Sequence, residues 1–531
     1  MLRFLLMHVL RMVVVSAIPV AWTGAVASAA PGQRPNIVIL YADDLGYGDV
    51  RCYNPDRGKI PTPNIDRLAD SGMRFTDGHS SSGVCSPSRY ALLTGRYHWR
   101  TRLKSGIVGT WGEPLIAPDR LTIAGLAKQH GYRTAAIGKW HLGWDWPITL
   151  AERPLVAAFD RPKRVAGGKA PQAQVTDAHR EAWRTIFSQP IGGGPTTRGF
   201  DHYFGTDVPN WPPYCFIDDD RTVGIPTTLM PAEDLKNNRA SKQGPALPGW
   251  RLEDVLPALR DRAVAFIEQS APREEPFLLY MPLTSPHTPL AVNEEWKGSS
   301  GLDNAYADLV METDAVVGRL LDVIESTGEA ENTLVIFTSD NGFAPYVGAK
   351  ELEARGHFPS GPLRGYKGAA WEGGHRVPFI VRFPGVTRAG SVCSQLVHQA
   401  DVMATIADIL DTKLPDTAGE DSFSLLPLLG ASSPEAAEPV RRHAVSCSTR
   451  GIPAIRDGRW KLILGHDPGF AKQDRGNMKT DEVQLYDLAA DIGEQKNIAD
   501  EHPDRVAEMK ATYEKLVADG RSTSRVPGLK Q

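Results

Sequence analysis

Short, continuous apolar runs recur along the chain, and each stops at a cluster of polar residues and glycine. Asn36-Ile37-Val38-Ile39-Leu40-Tyr41 gives way to Asp43-Asp44-Leu45-Gly46-Tyr47-Gly48, and Thr134-Ala135-Ala136-Ile137 to Gly138-Lys139-Trp140-His141-Leu142-Gly143. Phe277-Leu278-Leu279-Tyr280-Met281 is followed by Ser285-Pro286-His287-Thr288-Pro289, and Leu334-Val335-Ile336-Phe337 by Ser339-Asp340-Asn341-Gly342. Runs of this length without alternation predict strands buried on both faces. A further strand is expected at Pro378-Phe379-Ile380-Val381, after Lys367-Gly368 and Glu372-Gly373-Gly374. Between the runs lie stretches with helical spacing: Asn64 to Ala69, Leu121 to Gln129, Val255 to Gln269, and the stripe Tyr306, Leu309, Val310, Val317, Leu320, Leu321 and Ile324, closed by Gly328. Strands alternating with helices predict an α/β fold, with a large, mixed, mostly parallel sheet flanked by helices.

Two stretches, about 153–197 and 207–250, break the alternation and read as insertions into a body spanning 31–427, the first holding a helix from Asp177 to Phe187. Gly192-Gly193-Gly194 is no phosphate loop, because no Lys-Ser/Thr follows it before a helix. Beyond Pro427 the texture changes. Ala454 to Ile463 predicts a hairpin around Asp457-Gly458, Val483 to Asp487 another strand, and Pro503 to Ala518 a closing helix. Residues 436–531 therefore read as a smaller C-terminal antiparallel α+β domain.

Composition narrows the picture. The chain has 531 residues, enough for a large core and a satellite domain. Its net charge of −4 excludes a general nucleic-acid binder, so an anionic substrate must be held by a local positive site. Arg3 and Arg11, the apolar run Met12 to Trp22 and the small residues Ala27-Ser28-Ala29-Ala30 predict a signal peptide over residues 1–30, cleaved before Pro31. The mature protein is then exported, periplasmic or secreted, with no later segment long and apolar enough to span a bilayer. The five cysteines, Cys52, Cys85, Cys215, Cys393 and Cys447, are too sparse for a disulfide scaffold, and their odd number leaves at least one unpaired within the chain.

In a parallel sheet the C-terminal strand edges form the ligand crevice, which would gather Asp43, Asp44, Lys139, His141, His287, Asp340 and Asn341. Cys85-Ser86-Pro87-Ser88-Arg89 reads as a nucleophile station. Pro87 suits the first position of a helix running to Gly95, which puts Cys85 just ahead of a helix N-terminus, with Arg89 able to fold back toward it. Asp43, Asp44, Asp340 and Asn341 offer only oxygens and suit Ca2+ or Mg2+ rather than Zn2+. Arg89, Lys139, His141, His287 and Lys367 supply positive charge and proton donors for an ester carrying concentrated negative charge. A thiolate is a poor companion for so hard an ion, which puts the thiol identity of Cys85 in question. Trp140 and Trp144 could line the pocket or simply pack, with packing the better reading, and Asp201 and Glu372 could act at the site or cap and brace loops without touching substrate.

These blocks, with Thr62-Pro63-Asn64-Ile65-Asp66 and Gly199-Phe200-Asp201 in the same order, resemble the type I, formylglycine-dependent sulfatases, the arylsulfatase family of the alkaline phosphatase-like superfamily. The resemblance covers residues 35 to about 385 and extends to the type of C-terminal domain. It implies an alkaline phosphatase-like fold and a sulfuric ester hydrolase. It further implies that a formylglycine-generating enzyme oxidises Cys85 to Cα-formylglycine, with Pro87 and Arg89 as part of its signal. One hydroxyl of the aldehyde hydrate would attack sulfur and expel the alcohol, and deprotonation of the other would expel sulfate. Asp43, Asp44, Asp340 and Asn341 match the Ca2+ ligands, completed by the formylglycine at Cys85. Arg89 and Lys139 match groups holding the hydrate, and His141 the residue that deprotonates it. His287 and Lys367 match groups contacting sulfate and the departing oxygen, with His287 as the acid. Two other readings stand beside this one: a formylglycine-dependent phosphonate monoester hydrolase or phosphodiesterase, and a secreted sulfoglycan-binding protein with unmodified Cys85. Export, the insertions, Trp211, Tyr214 and Asp218 to Arg221 point to a sulfated carbohydrate. The stretch from Pro212 to Pro226 also resembles that of bacterial sulfatases assigned to galactose or N-acetylgalactosamine 6-sulfate.

Overall fold

A computed structural model describes residues 34–159, 174–235, 240–471 and 481–524; the expected signal peptide lies outside the described residues. Five strands form the parallel centre of the main sheet, in the order Thr333–Ser339, Asn36–Ala42, Phe277–Pro282, Arg133–Lys139 and His202–Thr206. Phe379–Arg382 pairs antiparallel with Thr333–Ser339 and leads to Met73–Phe75 and Ser391–Cys393 at one edge, while Ile217–Asp218 and Arg221–Thr222 extend the other, making ten strands.

The unbroken apolar runs have a direct cause, because side chains alternate across a strand and both faces are covered. Ile37, Ile39 and Tyr41 pack into one layer with Leu92 and Leu93 of helix Cys85–Thr94, Leu126 of Ile123–Gln129 and Ile406 of Asp401–Ile409. Val38, Leu40 and Ala42 pack into the other with Leu68 of Pro63–Ser71, Leu259 of Val255–Ser270 and Val317 of Ala305–Ser326. Each aliphatic side chain so buried contributes about 1.5–3 kcal/mol.

The local expectations differ from the structure at one informative place. The nucleophile-station helix begins at Cys85, not at Pro87, so Cys85 is its first residue and Pro87 its third. Amides throughout the first turn have no intrahelical acceptor, so a proline there costs no hydrogen bond, and a proline alone cannot fix which residue of that turn comes first. In the first insertion the helix Asp177–Phe187 is capped by Thr176, and Trp183, Ile186 and Phe187 pack with Trp111 and Val156. All five cysteines carry free thiols.

The smaller sheet, His443–Cys447, Pro453–Asp457, Trp460–Ile463 and Gln484–Asp487, is antiparallel, and helix Pro503–Ala518 covers it through Met509 and Leu516. Buried ion pairs join it to the main body. Arg456 meets Asp77 at 2.9 Å and Glu372 at 3.2 Å, while Lys461 meets Glu372 at 3.0 Å and Glu494 at 2.8 Å. Lys461 Nζ also lies 3.3 Å from His375 Nε2, so its ammonium fills the space between His375, Glu372 and Glu494. Glu372 is thus a brace, and so is Asp201, which accepts from the Thr134 amide at 2.9 Å and pairs with Lys128 at 2.6 Å.

Just after the Cys85 helix, His98 is buried at the same seam, its Nδ1 2.6 Å from Ser81 Oγ, and its neighbours Tyr97 and Trp99 join the C-terminal core. Burial, helped by Lys104, pushes its imidazole down to about 3. An unfolded chain takes up this proton near pH 6.5 and the folded one does not, so the contribution is intact above 6.5 and is lost as pH falls below it. Urea unfolding of the protein and of His98→Gln should show the wild type losing about 1.4 kcal/mol relative to the variant between pH 7.5 and 5.5. A pH-independent difference would contradict the neutral, buried state.

Candidate active site

Strand register sets the site. Ala42 pairs with Ser339, the Asp340 amide donates to the Ala42 carbonyl at 3.0 Å, and the Asp43 amide donates to the Ser285 carbonyl at 3.0 Å. Three strand ends therefore deliver Asp43, Asp44, Asp340, Asn341 and the His287 loop to one place. Lys139 arrives from the end of Arg133–Lys139 and Arg89 from the first turns of the Cys85 helix, and all of these side chains are buried. Asp44 and His141 both have left-handed backbones, φ 67° and 55°, a conformation that non-glycine residues hold only where their surroundings enforce it. Tyr306 contributes to that enforcement by donating its hydroxyl to the Asp44 carbonyl at 3.1 Å.

Charges in the site are matched one against another. Arg89 places Nε and Nη2 3.1 and 2.8 Å from Asp340 Oδ2 and donates Nη1 to the Lys139 carbonyl at 2.9 Å. It thereby clamps two strand ends together. Lys139 Nζ is 2.7 Å from Asp43 Oδ2, and Lys367 pairs with Asp44 Oδ1. Burial and then the adjacent Asp43 push the Asp340 carboxyl up to about 7. Burial also opposes the charge on Asp43, but Lys139, His287 and Arg89 outweigh it and hold that carboxyl well below the usual range.

After these pairings, three buried oxygens still lack a hydrogen-bond partner: Asp43 Oδ1, Asp44 Oδ2 and Asn341 Oδ1. Unsatisfied buried acceptors are costly, and a set made only of carboxylate and amide oxygens fits a hard divalent cation. Asn341 Nδ2 donates to Asp44 Oδ1 at 2.8 Å, which leaves its Oδ1 as the free acceptor.

Cys85 lies beside this group, 2% exposed, with Lys367 Nζ 3.7 Å from its sulfur. Burial pushes the thiol up to about 12 despite Lys139 and Lys367. It is therefore a thiol at neutral pH, not a thiolate nucleophile.

The two histidines are held in defined tautomers. His141 Nε2 faces the Val108 carbonyl at 3.1 Å, and a carbonyl only accepts, so Nε2 carries the proton and the partnerless Nδ1 is a free base. His287 Nδ1 faces the Thr288 carbonyl at 2.6 Å, which turns Nε2 toward Asp44 Oδ2, 3.6 Å away. Burial pushes His287 down to about 4, and burial with Lys139 and Arg89 holds His141 well below its usual value.

Asp207, at the start of the second insertion, was not singled out by the sequence, yet its Oδ1 accepts from the His141 amide at 3.1 Å and Trp144 Nε1 at 3.2 Å. Its place just after the strand His202–Thr206 was the available signal. The glycine run serves this arrangement, since a Cβ at Gly194 would lie 1.9 Å from the Trp144 ring. Trp140 and Trp144 are buried as expected. Of the insertion residues expected to choose the substrate, Trp211 borders the site, its ring 5.4 Å from that of His141 under the Lys242 ammonium. Tyr214 is instead buried in a local core, and Asp218 pairs with Arg262 beside the hairpin turn.

The Sulfatase family profile matches residues 35–412. The chain is 32% identical over 507 residues to an N-acetylgalactosamine-6-O-sulfatase of Bacteroides thetaiotaomicron, covering 91% of this chain and 93% of that one. It is 30% identical over 485 residues to human arylsulfatase A, covering 89% and 85%. A solved 6S-sulfatase from work on glycosaminoglycan metabolism by Bacteroides thetaiotaomicron superposes with a TM-score of 0.75 at 29% identity, covering 91% of this chain and 99% of that one. An anion-binding crevice at a parallel sheet edge is compatible with many esters, and this similarity along nearly the whole chain resolves the choice: the protein belongs to the sulfatase family, as a type I sulfatase of the alkaline phosphatase-like superfamily, and is a sulfuric ester hydrolase.

Proposed function

We propose that this sulfatase releases inorganic sulfate from sulfated carbohydrates, with Cys85 converted to Cα-formylglycine and one Ca2+ held by Asp43, Asp44, Asp340, Asn341 and residue 85. The observation that carries the reading is the juxtaposition of unsatisfied oxygens of Asp43 and Asp44, with that of Asn341 bonded beside them, and the buried Cys85 side chain. Bound there, calcium would polarise a sulfate oxygen and neutralise charge developing on it. Formylglycine would supply a hard oxygen nucleophile where sulfur is unsuited. Because Cys85 is buried, a formylglycine-generating enzyme would need to reach the Cys85–Arg89 segment before the chain folds.

The chain's own residues then divide the work. Arg89 and Lys139 fix the nucleophile's position and balance the carboxylates, and Lys367 holds a sulfate oxygen opposite Asp44. With the ester's negative charge favouring the imidazolium form, His287 gives its Nε2 proton to the departing oxygen, and His141 Nδ1 accepts one when sulfate leaves. The proposal includes export guided by residues 1–30, a catalytic domain over 31–427 and a C-terminal domain over 436–531. Support for a carbohydrate comes from Trp211 beside His141 and from the relative named for N-acetylgalactosamine 6-O-sulfate.

Trypsin should release residues 75–89 from protein made in its own host, lighter than the cysteine form because oxygen replaces sulfur and two hydrogens are lost. The same preparation should carry calcium by elemental analysis and hydrolyse sulfate esters faster than matched phosphonate monoesters. An unmodified peptide from active enzyme would refute the formylglycine mechanism, and a preference for phosphonates would move the protein to the alternative ester class.

His287→Ala should lower kcat by about 10²- to 10⁴-fold on a sulfated sugar, whose alkoxide leaves poorly without a proton. The loss on an aryl sulfate, whose phenoxide leaves more readily, should be much smaller. Equal losses on the two esters would remove His287 from the acid role.

A further inference from the structure

Seven large apolar side chains stand exposed among the described residues, and two of them meet: Tyr346, 45% exposed, and Phe470, 42% exposed. Their ring centres are 6.1 Å apart with planes at 79°. They come from distant parts of the chain, Tyr346 from the turn Pro345–Val347 after Asn341 and Phe470 from the segment after strand Trp460–Ile463. Both converge on Lys367. The Phe470 amide donates to the Lys367 carbonyl at 3.2 Å, and the Lys367 amide donates to the Phe343 carbonyl at 2.9 Å, three residues before Tyr346. Gly368 lets the phenyl ring lie on this loop, for a Cβ there would come within 3.1 Å of the ring, and its φ of +86° suits glycine.

We infer that Tyr346 and Phe470 form a stacking face for the sugar ring that carries the sulfate ester, on the Lys367 side of the site. The inference rests on the sulfated-carbohydrate reading.

The position of Tyr346 supports it first. Lys367, Asp44, Cys85 and Asp43 are near enough for their charges to act on its phenol, and no hydrogen bond from the described residues engages its hydroxyl. The ring is nevertheless open to solvent and not in the core. The second support is chemical. A pyranose presents a patch of C–H groups bordered by hydroxyls, and a tyrosine with a free hydroxyl beside an edge-on phenyl offers an apolar face with a polar margin. Exposed aromatic pairs are costly surfaces unless something covers them, and nearness to a ligand crevice makes that ligand the occupant. A sulfate group seated against Lys367 would leave its sugar near these rings, since the Lys367 backbone is hydrogen-bonded to both the Phe343 and Phe470 segments and Tyr346 is close enough to act on its ammonium.

Steady-state kinetics on 6-sulfated N-acetylgalactosamine or galactose and on 4-nitrophenyl sulfate, with inorganic sulfate as competitive inhibitor, test this. Phe470→Ala should raise KM for the sulfated sugar by about tenfold, with the loss falling on KM and not on kcat. Phe470→Trp should restore KM. Phe470→Leu, which keeps apolar bulk on Gly368 but has no flat face, should not. The inhibition constant of inorganic sulfate should stay at the wild-type value in all three. An unchanged KM in Phe470→Ala, restoration by Leu, or a parallel loss of sulfate affinity would overturn the inference by making Phe470 a support of the loop. Wild-type turnover of the aryl sulfate with none of either sulfated sugar would overturn the carbohydrate reading itself and this inference with it, before any variant is compared.

Discussion

The constraint on which the structure depends is the pairing of three buried carboxylates, Asp43, Asp44 and Asp340, with three buried cations, Lys139, Lys367 and Arg89. None of these charges tolerates burial alone, and removing one partner of such a pair typically costs about 3–5 kcal/mol because the other charge is left behind. Each pair joins segments far apart in sequence, Asp43 to Lys139, Asp44 to Lys367 and Asp340 to Arg89, so the electrostatic match can form only when four strand and helix ends have reached their final register. On the proposed mechanism, function and folding thus share one requirement. The pairing also explains why oxygens remain unsatisfied: Lys139 bonds Asp43 Oδ2 and Lys367 bonds Asp44 Oδ1, which leaves Asp43 Oδ1, 3.6 Å from Arg89, and Asp44 Oδ2 without a hydrogen bond.

A second charge-balanced cluster, Asp77, Glu372 and Glu494 with Arg376, Arg456 and Lys461, makes the C-terminal sheet part of the same machine. It fixes strands Pro453–Asp457 and Trp460–Ile463 against the main body, and the chain leaving the second strand then runs past Lys367, where the Ala369 and Pro468 backbones pair. The small sheet is consequently a means of delivering residues 466–470 to the crevice.

Much of this was legible in the sequence because the relevant signals are local. An apolar run such as Ile37 to Tyr41 names a doubly covered strand, and the polar residues just beyond it name the crevice edge, so the convergence of Asp43, Lys139, His287 and Asp340 follows from fold class alone. What depends on distant contacts was not legible. Asp207 reads as the first residue of an irregular insertion until the strand before it is paired with Arg133–Lys139, which puts it under His141. Tyr346 and Phe470 lie far apart in the chain, in segments without periodicity, and only the folded seam brings them together. Tyr214 fails in the opposite direction, an aromatic in a proline-rich loop that suggests a binding surface but is spent on a small core.

Cys85 shows how the same environment can suppress one chemistry and suit another. Two ammonium groups nearby would ordinarily lower a thiol's pKa, yet burial, together with Asp340 and Asp43, more than cancels them. A thiolate there would also be a soft donor beside oxygens that select a hard ion. An oxygen at residue 85, as the proposed formylglycine would supply, meets neither objection: it would match the oxygen ligands of the site and could share a cation with Asp43 and Asp44. Lys139 and Lys367 could then act on the charge of the ester and not on that of sulfur. The buried electrostatics that make cysteine a poor nucleophile here are the physical ground for reading the residue as a precursor.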